Sequence, residues 1–117
     1  MKPVLVIPGT DYVICFDAEF EDTSMRRHFI GECGWSAEEY EKIADYNWFS
    51  ANVSLWRSGE LLQEEFLGTC CYETEEQFWT IYAGDYFADM VCTLLKDLPD
   101  ALKWAEMWRS DLRNARS

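Results

Sequence analysis

Residues 49–55 alternate apolar and polar side chains, and this alternation constrains the fold more than any other segment. Successive side chains of a strand point to opposite faces, so the pattern predicts a strand with one buried face. Ser58-Gly59 predicts a turn, and residues 61–72 predict the returning strand. Its alternation is imperfect near Glu64-Glu65 and at Gly68, where we expect a bulge or an irregular edge. The apolar set is Phe49, Ala51, Val53 and Leu55, and the polar set is Ser50, Asn52 and Ser54.

The N-terminal residues predict a second hairpin. Residues 4–7 and 12–16 are rich in β-branched and aromatic side chains, and Pro8-Gly9 between them is a turn signal. Residues 25–33 then show apolar side chains at helical spacing, and Gly34 is the expected stop.

Helix starts are marked further along the chain. Ser36 with Glu39, and Thr74 with Gln77, match the capping box, in which each end of the motif satisfies a free backbone N–H of the other. Pro99 suits the first position of a last helix. The element order β-β-α-α-β-β-α-α predicts an α+β fold: one domain over residues 1–117, with a small antiparallel sheet of about four strands. About four helices pack with the sheet, and the last two are expected to be the longest.

The C-terminal helices carry apolar stripes that should face the core. Phe78 and Tyr82 fall beside the stripe of the first, close to Asp85 and Asp89, and we expect an exposed aromatic and acidic face there. The stripe of the first helix is Trp79, Ala83, Tyr86, Phe87, Met90 and Leu94, and that of the second is Ala101, Trp104, Ala105, Trp108 and Leu112.

The net charge of −12 limits the classes of partner. Residues 1–90 hold 18 acidic and 5 basic side chains, while residues 91–117 hold 4 acidic and 5 basic ones. Binding to DNA, RNA or an anionic membrane normally needs the opposite sign, so we expect neither nucleic acid nor membrane as a direct partner. The charge favours a protein with a basic surface, and the alternative is that it only maintains solubility. The candidate partner-binding residues are Glu38, Glu39, Glu41, Asp45, Trp56, Glu64, Glu65, Glu75, Glu76, Asp85 and Asp89.

Asp17-Ala18-Glu19 resembles the first motif of DEDD-family exonucleases, in which an Asp-x-Glu pair on a strand binds two divalent metal ions. Two side chains two residues apart on a strand share a face, and magnesium prefers carboxylate oxygens. The later motif of that family is missing, because Cys33 and not an aspartate stands five residues after His28. We therefore predict an acidic strand end, with no metal and no cofactor.

The cysteines suggest neither catalysis nor zinc. His28 and Cys33 are five residues apart, a spacing that does not align on one face of an α-helix, so a nucleophilic pair is not expected. Cys70 and Cys71 should point to opposite faces of a strand, one thiol in the core and one exposed. Cys15 and Cys92 stand among apolar residues and are predicted to be buried.

The sequence shows neither a predicted signal peptide nor a disulfide framework, and these two features bear on the cellular compartment. The apolar run at residues 4–7 is too short for a signal peptide, and five irregularly spaced cysteines do not predict a disulfide framework. We expect reduced thiols and a cytoplasmic protein.

In overall character the chain resembles small acidic phage and mobile-element inhibitors of the anti-CRISPR type: it is short, acidic, rich in aromatic residues and free of catalytic motifs. The resemblance implies a non-enzymatic inhibitor that uses protein–protein contacts to block a basic, nucleic-acid-handling partner such as a CRISPR–Cas effector or a nuclease. Exposed aromatics such as Trp35, Trp48 or Trp56 would anchor the contact.

Three other functions are compatible with the sequence. An immunity protein or antitoxin that neutralises a toxic enzyme would have the same physical character. A DEDD-like exonuclease fragment is the enzyme alternative, with Asp17 as the residue to test. An oligomeric component could dock through the apolar face of the last helix.

Overall fold

The protein has a mixed α+β fold built on one four-stranded antiparallel sheet. The computed structural model describes residues 1–80 and 86–116. Sheet order follows chain order, so each strand pairs with the next through a hairpin or a longer connection. The strands are β1 (Lys2–Val6), β2 (Tyr12–Glu19), β3 (Asn47–Arg57) and β4 (Glu60–Tyr72).

Short helices follow β2 and β4, and the two longest helices end the chain, as predicted. Pro99 is the first residue of α3, which its fixed φ angle favours. No helix among residues 1–80 and 86–116 is both long and apolar enough to cross a membrane. The helices are a π-helix (Arg27–Glu32), α1 (Ala37–Glu41), a 3-10 helix (Glu75–Phe78), α2 (Tyr86–Leu94) and α3 (Pro99–Arg116).

The β3–β4 hairpin contains two irregularities, and one of them confirms the bulge predicted at Gly68. The register shifts between Phe49 and Ala51, where Gly68 and Thr69 lie opposite the single residue Ser50, and Thr69 has a positive φ of 53°. The second shift lies between Leu55 and Trp56, where Leu62 is the extra residue. Glu64 and Glu65 themselves pair regularly with β3, so the irregularity expected near them lies just before Gln63.

The core lies between the sheet and the two long helices. The predicted apolar set of β3 is buried on this side, and α2 and α3 contribute the residues opposite it. Trp108 of α3 meets Phe87 of α2 edge to face at 6.0 Å, so the apolar face of α3 is occupied within the chain. The core includes Ile14, Phe16, Phe49, Ala51, Val53, Leu55, Phe78, Phe87, Val91, Leu94, Leu95, Ala101 and Ala105.

The segment after Thr74 differs most from expectation. Gln77 does accept backbone hydrogen bonds from Glu73 and Thr74, but the helix that follows is a 3-10 helix that ends at Phe78. A 3-10 helix has three residues per turn, so the face predicted from α-helical spacing does not hold. Phe78 is completely buried rather than exposed.

The stripe predicted after Phe78 is only partly confirmed. Phe87 and Leu94 are buried and Met90 is half-buried, whereas Tyr86 is 61% exposed. The stripe residue Ala83, and Tyr82 and Asp85 of the expected acidic face, lie outside the described residues.

Candidate functional site

The sheet has an outer face that α2 and α3 do not cover. Cross-strand partners share a face, so the register assigns its members. Asn52 pairs with Asp17 on β2 and with Phe66 on β4. These side chains lie on the face opposite to that of the core residues Ala51 and Val53. The outer face includes Val6, Val13, Cys15, Asp17, Glu19, Asn52, Ser54, Trp56, Leu61, Glu64 and Phe66.

One end of the sheet is covered by the connection between β2 and the π-helix. Trp48 Nε1 donates a hydrogen bond to the Thr23 carbonyl at 2.7 Å, and Glu21 Oε1 accepts one from the Thr69 backbone at 2.6 Å. The edge strands of the outer face are exposed, with Val6 at 60% and Phe66 at 56%, whereas Asn52 and Ser54 on the central strand are covered by their neighbours. Apolar side chains on an open sheet face mark it as a candidate contact surface.

Asn52 lies at the centre of the outer face and is 3% exposed. Its Nδ2 donates to Glu19 Oε1 at 3.3 Å and to Glu64 Oε1 at 3.4 Å. Its Oδ1 is buried and has no hydrogen-bond partner. An unsatisfied buried acceptor costs about 1–3 kcal/mol, so this amide is poorly satisfied by the chain itself.

The carboxylates around Asn52 form a local negative charge. Glu19 and Glu64 converge on one amide nitrogen, and Asp17 is the direct cross-strand neighbour of Asn52. None of the salt bridges among the described residues involves these three carboxylates. Since like charges close together repel, the arrangement favours a cation that lies between them.

Two of the predicted binding residues, Trp56 and Glu64, lie on the outer face. Glu64 is the cross-strand partner of Ser54, whose hydroxyl accepts a hydrogen bond from Trp56 Nε1 at 2.8 Å. Glu65 lies on the core side instead, because it pairs with Val53. Asn52 was missed by sequence reasoning, although its position among the polar side chains of β3 placed it on this face.

The predicted acids of the α1 region form a separate group. Glu39 completes the predicted capping box: its carboxylate accepts from the Ser36 backbone at 3.2 Å, and its own N–H donates to Ser36 Oγ at 3.1 Å. The Ser36 backbone hydrogen bond lowers the pKa of Glu39. Glu38, Glu41 and Asp45 are exposed.

The remaining predicted acids are scattered. Glu76 lies 3.9 Å from Lys2 Nζ, and Asp89 lies 2.9 Å from Arg109 Nη1. Glu75 is half-buried, and Asp85 lies outside the described residues. Within residues 1–80 and 86–116, Glu76 and Asp89 thus have ion-pair partners, whereas Asp17, Glu19 and Glu64 form no ion pair.

Asp17 and Glu19, the pair with the exonuclease-like spacing, do share one face of β2. Glu19 is engaged by Asn52, and Asp17 is half-buried. In the part of the chain that the structure describes, no group of three or more His, Cys, Asp or Glu side chains is placed to hold a metal ion.

His28 and Cys33 are brought together, and the expectation that their spacing keeps them apart is wrong. Cys33 Sγ lies 3.7 Å from His28 Nε2, and Glu32 Oε2 lies 3.3 Å from His28 Nδ1. The reason is the π-helix, whose i→i+5 hydrogen bond from Cys33 N–H to the His28 carbonyl is 2.9 Å long. In this winding, residues five apart lie one above the other.

The five cysteines differ in environment. Cys15 and Cys70 are buried, Cys71 and Cys92 are half-buried, and Cys33 is exposed. Burial raises the pKa of all four covered thiols, and that of Cys70 to about 11. Cys70 confirms the predicted core thiol, whereas Cys71, predicted to be exposed, is half-buried.

We expect the raised pKa of Cys70 to make the fold sensitive to alkali. The folded state holds this proton more tightly than the unfolded state, so its stabilisation is present below the ordinary pKa of 9.0 and is lost as pH rises towards 11. Between these values the loss is about 2–3 kcal/mol, from two pKa units. The free energy of unfolding, measured in urea at pH 9 and 11, should fall less for Cys70→Ala than for wild type. Cys33→Ala is the control and should behave as wild type; an equal loss in all three proteins would contradict the assignment to Cys70.

No protein-family model matches the chain, and neither curated proteins nor solved structures give a match. The contacts, burial and charge of the outer face therefore carry the functional proposal.

Proposed function

We propose that the protein is a non-enzymatic acidic inhibitor that binds a basic protein surface through the outer face of its sheet. The partner is a nucleic-acid-handling protein, such as a CRISPR–Cas effector or a nuclease. The observation that carries the proposal is Asn52, a buried amide with an unpartnered oxygen between two carboxylates on an open face.

An arginine side chain fits this environment best. Its guanidinium carries five N–H donors in one plane, so it can donate to Glu19 and Glu64 together. Arginine is also weakly hydrated compared with lysine, which lowers the cost of bringing its charge onto a partly covered face.

Apolar side chains flank the acidic centre. Trp56 is half-buried on one side, and Phe66 is 56% exposed on β4. Aromatic side chains around a desolvated charge pair are typical of interface hot spots, because they exclude water from it. The net charge of −12 adds long-range attraction to a nucleic-acid-binding groove, which is basic for its own ligand.

Partner capture followed by competition tests the proposal. The tagged protein is incubated with a bacterial lysate and washed at about 0.1 M or 1 M salt, where the Debye length is about 10 Å or 3 Å. We expect basic nucleic-acid-binding proteins at low salt, and their loss at high salt. The purified partner should then bind nucleic acid less well when the protein is added. A partner whose nucleic-acid binding is unaffected would contradict inhibition, and a toxic enzyme as partner would favour an immunity protein.

Two matched double variants locate the surface. Glu19→Gln with Glu64→Gln removes two charges from the outer face, and Glu38→Gln with Glu41→Gln removes two from the α1 region. We expect the first to weaken partner binding at least tenfold, because a partner's buried cation loses its counter-charge. The second should change the affinity no more than about twofold. Equal losses would mean that net charge alone attracts the partner, and would contradict docking through the outer face.

A further inference from the structure

The π-helix assembles a Cys–His–Glu constellation that the binding surface does not use. Cys33 Sγ lies 3.7 Å from His28 Nε2, and Glu32 Oε2 lies 3.3 Å from His28 Nδ1. A thiol on one imidazole nitrogen and a carboxylate on the other is the arrangement that activates cysteine nucleophiles: the carboxylate fixes the ring tautomer, and the free nitrogen takes the thiol proton.

The imidazole is held in place by its packing. The ring of His28 is 5.0 Å from that of Phe29, edge to face, and 5.4 Å from that of Trp48. Trp48 lies on β3, and its side chain is held by the hydrogen bond that it donates to the Thr23 carbonyl. The π-helical hydrogen bond from Cys33 to His28 then fixes the backbone between nucleophile and base.

Two carboxylates lie near the His28 ring. Glu32 contacts the ring directly. The backbone hydrogen bonds from Thr69 and Thr23 lower the pKa of Glu21, and the nearby His28 adds a smaller contribution, which places Glu21 close to the ring as well.

Cys33 is also the accessible thiol. It is exposed, whereas burial covers Cys15, Cys70, Cys71 and Cys92 to different degrees and raises the pKa of each. A reagent in solution therefore meets Cys33 first, and the other four thiols remain protonated at neutral pH.

We propose that Cys33 is a nucleophilic thiol, activated by His28 and oriented through Glu32, that undergoes thiol–disulfide exchange with small disulfides such as glutathione disulfide. His28 Nε2 takes the proton of Cys33, and the Cys33 sulfur attacks one sulfur of the disulfide. A new S–S bond forms to Cys33 as the original S–S bond breaks. The leaving thiolate takes the proton from the imidazolium, so one thiol and one disulfide give a mixed disulfide and a new thiol.

The test uses the aromatic disulfide 5,5′-dithiobis(2-nitrobenzoic acid), whose leaving thiolate is coloured. An ordinary thiol is only a few per cent ionised at pH 7, and full ionisation is partly offset by lower intrinsic nucleophilicity. We therefore expect Cys33 in the folded protein to react about fivefold to tenfold faster at pH 7 than in His28→Gln. Glu32→Gln should fall between the two proteins. Cys33→Ser measures the contribution of the other thiols, and peptide mass spectrometry identifies the residue modified.

The pH profile separates activation from a structural role. The rates of wild type and His28→Gln should converge above about pH 10, where a free thiol is ionised without a base. Circular dichroism and thermal unfolding establish that each variant remains folded. Parallel rate profiles at all pH values, or first modification at a cysteine other than Cys33, would overturn the proposal. The outcome is independent of partner binding, because none of the three residues lies on the outer face.

Discussion

Replacing Phe78 by alanine is expected to lower the free energy of unfolding by about 3–5 kcal/mol, the range for deletion of a fully buried phenylalanine ring. Phe78 is 0% exposed. Its ring lies 5.6 Å from those of Phe16 and Tyr72 and about 6 Å from those of Phe49 and Phe87, so it joins three strands to α2. Few sites in a small domain connect as many elements, and the cavity would open between the sheet and the helices.

Urea unfolding, monitored by tryptophan fluorescence, measures the difference in the free energy of unfolding between wild type and Phe78→Ala. Phe20→Ala is the matched control, because it removes the same ring from a side chain that is 87% exposed; we expect a change within about 0.5 kcal/mol. Phe78→Leu, which leaves a smaller cavity, should lose about 1–2 kcal/mol and serves if the alanine variant is unfolded. Similar stabilities for Phe78→Ala and Phe20→Ala would contradict the central position of Phe78.

Phe78 also shows where sequence reasoning about the fold stops. The two hairpins, the capping box of α1, the start of α3 and the layered α+β architecture follow from alternation, turn residues and caps, which act locally. The face of Phe78 depended on the helical period assumed after Thr74. A capping box specifies that a helix begins, and it does not specify whether the first turn is α or 3-10. Packing against Phe16 and Phe49 favours the observed winding, and both residues are distant from Phe78 in the sequence.

Neither the Asn52 surface nor the His28–Cys33 pair was predicted, because each depends on geometry that the local sequence pattern does not specify. Alternation placed Asn52 on the polar face of β3, but only the strand register brings Glu19 and Glu64 to its amide. The separation of His28 and Cys33 was judged by α-helical geometry, in which residues five apart diverge. The π-helix brings the two side chains together instead, and such helices are rare and often occur at functional sites.

Replacing Asn52 by leucine should stabilise the fold and weaken partner binding together. Leucine has the same branching as asparagine and removes the unpartnered buried Oδ1. The two hydrogen bonds lost are long, at 3.3 and 3.4 Å, and Glu19 and Glu64 are exposed and can be hydrated instead. We expect a gain of about 1 kcal/mol in the free energy of unfolding, or about 4 °C in Tm. Partner affinity should fall about tenfold, because Asn52 Nδ2 no longer holds the Glu19 and Glu64 carboxylates together for the partner's cation.

Ser54→Val is the matched control on the same strand and face. Ser54 is also completely buried, but its hydroxyl accepts the hydrogen bond of Trp56 Nε1 at 2.8 Å. Its replacement leaves that donor without a partner and should cost about 1–3 kcal/mol. Opposite signs for the two variants, together with a loss of partner affinity in Asn52→Leu alone, would mean that Asn52 serves binding and not stability. If Asn52→Leu destabilises the fold and leaves partner affinity unchanged, Asn52 is a structural residue, and the outer face loses the observation on which its proposed function rests.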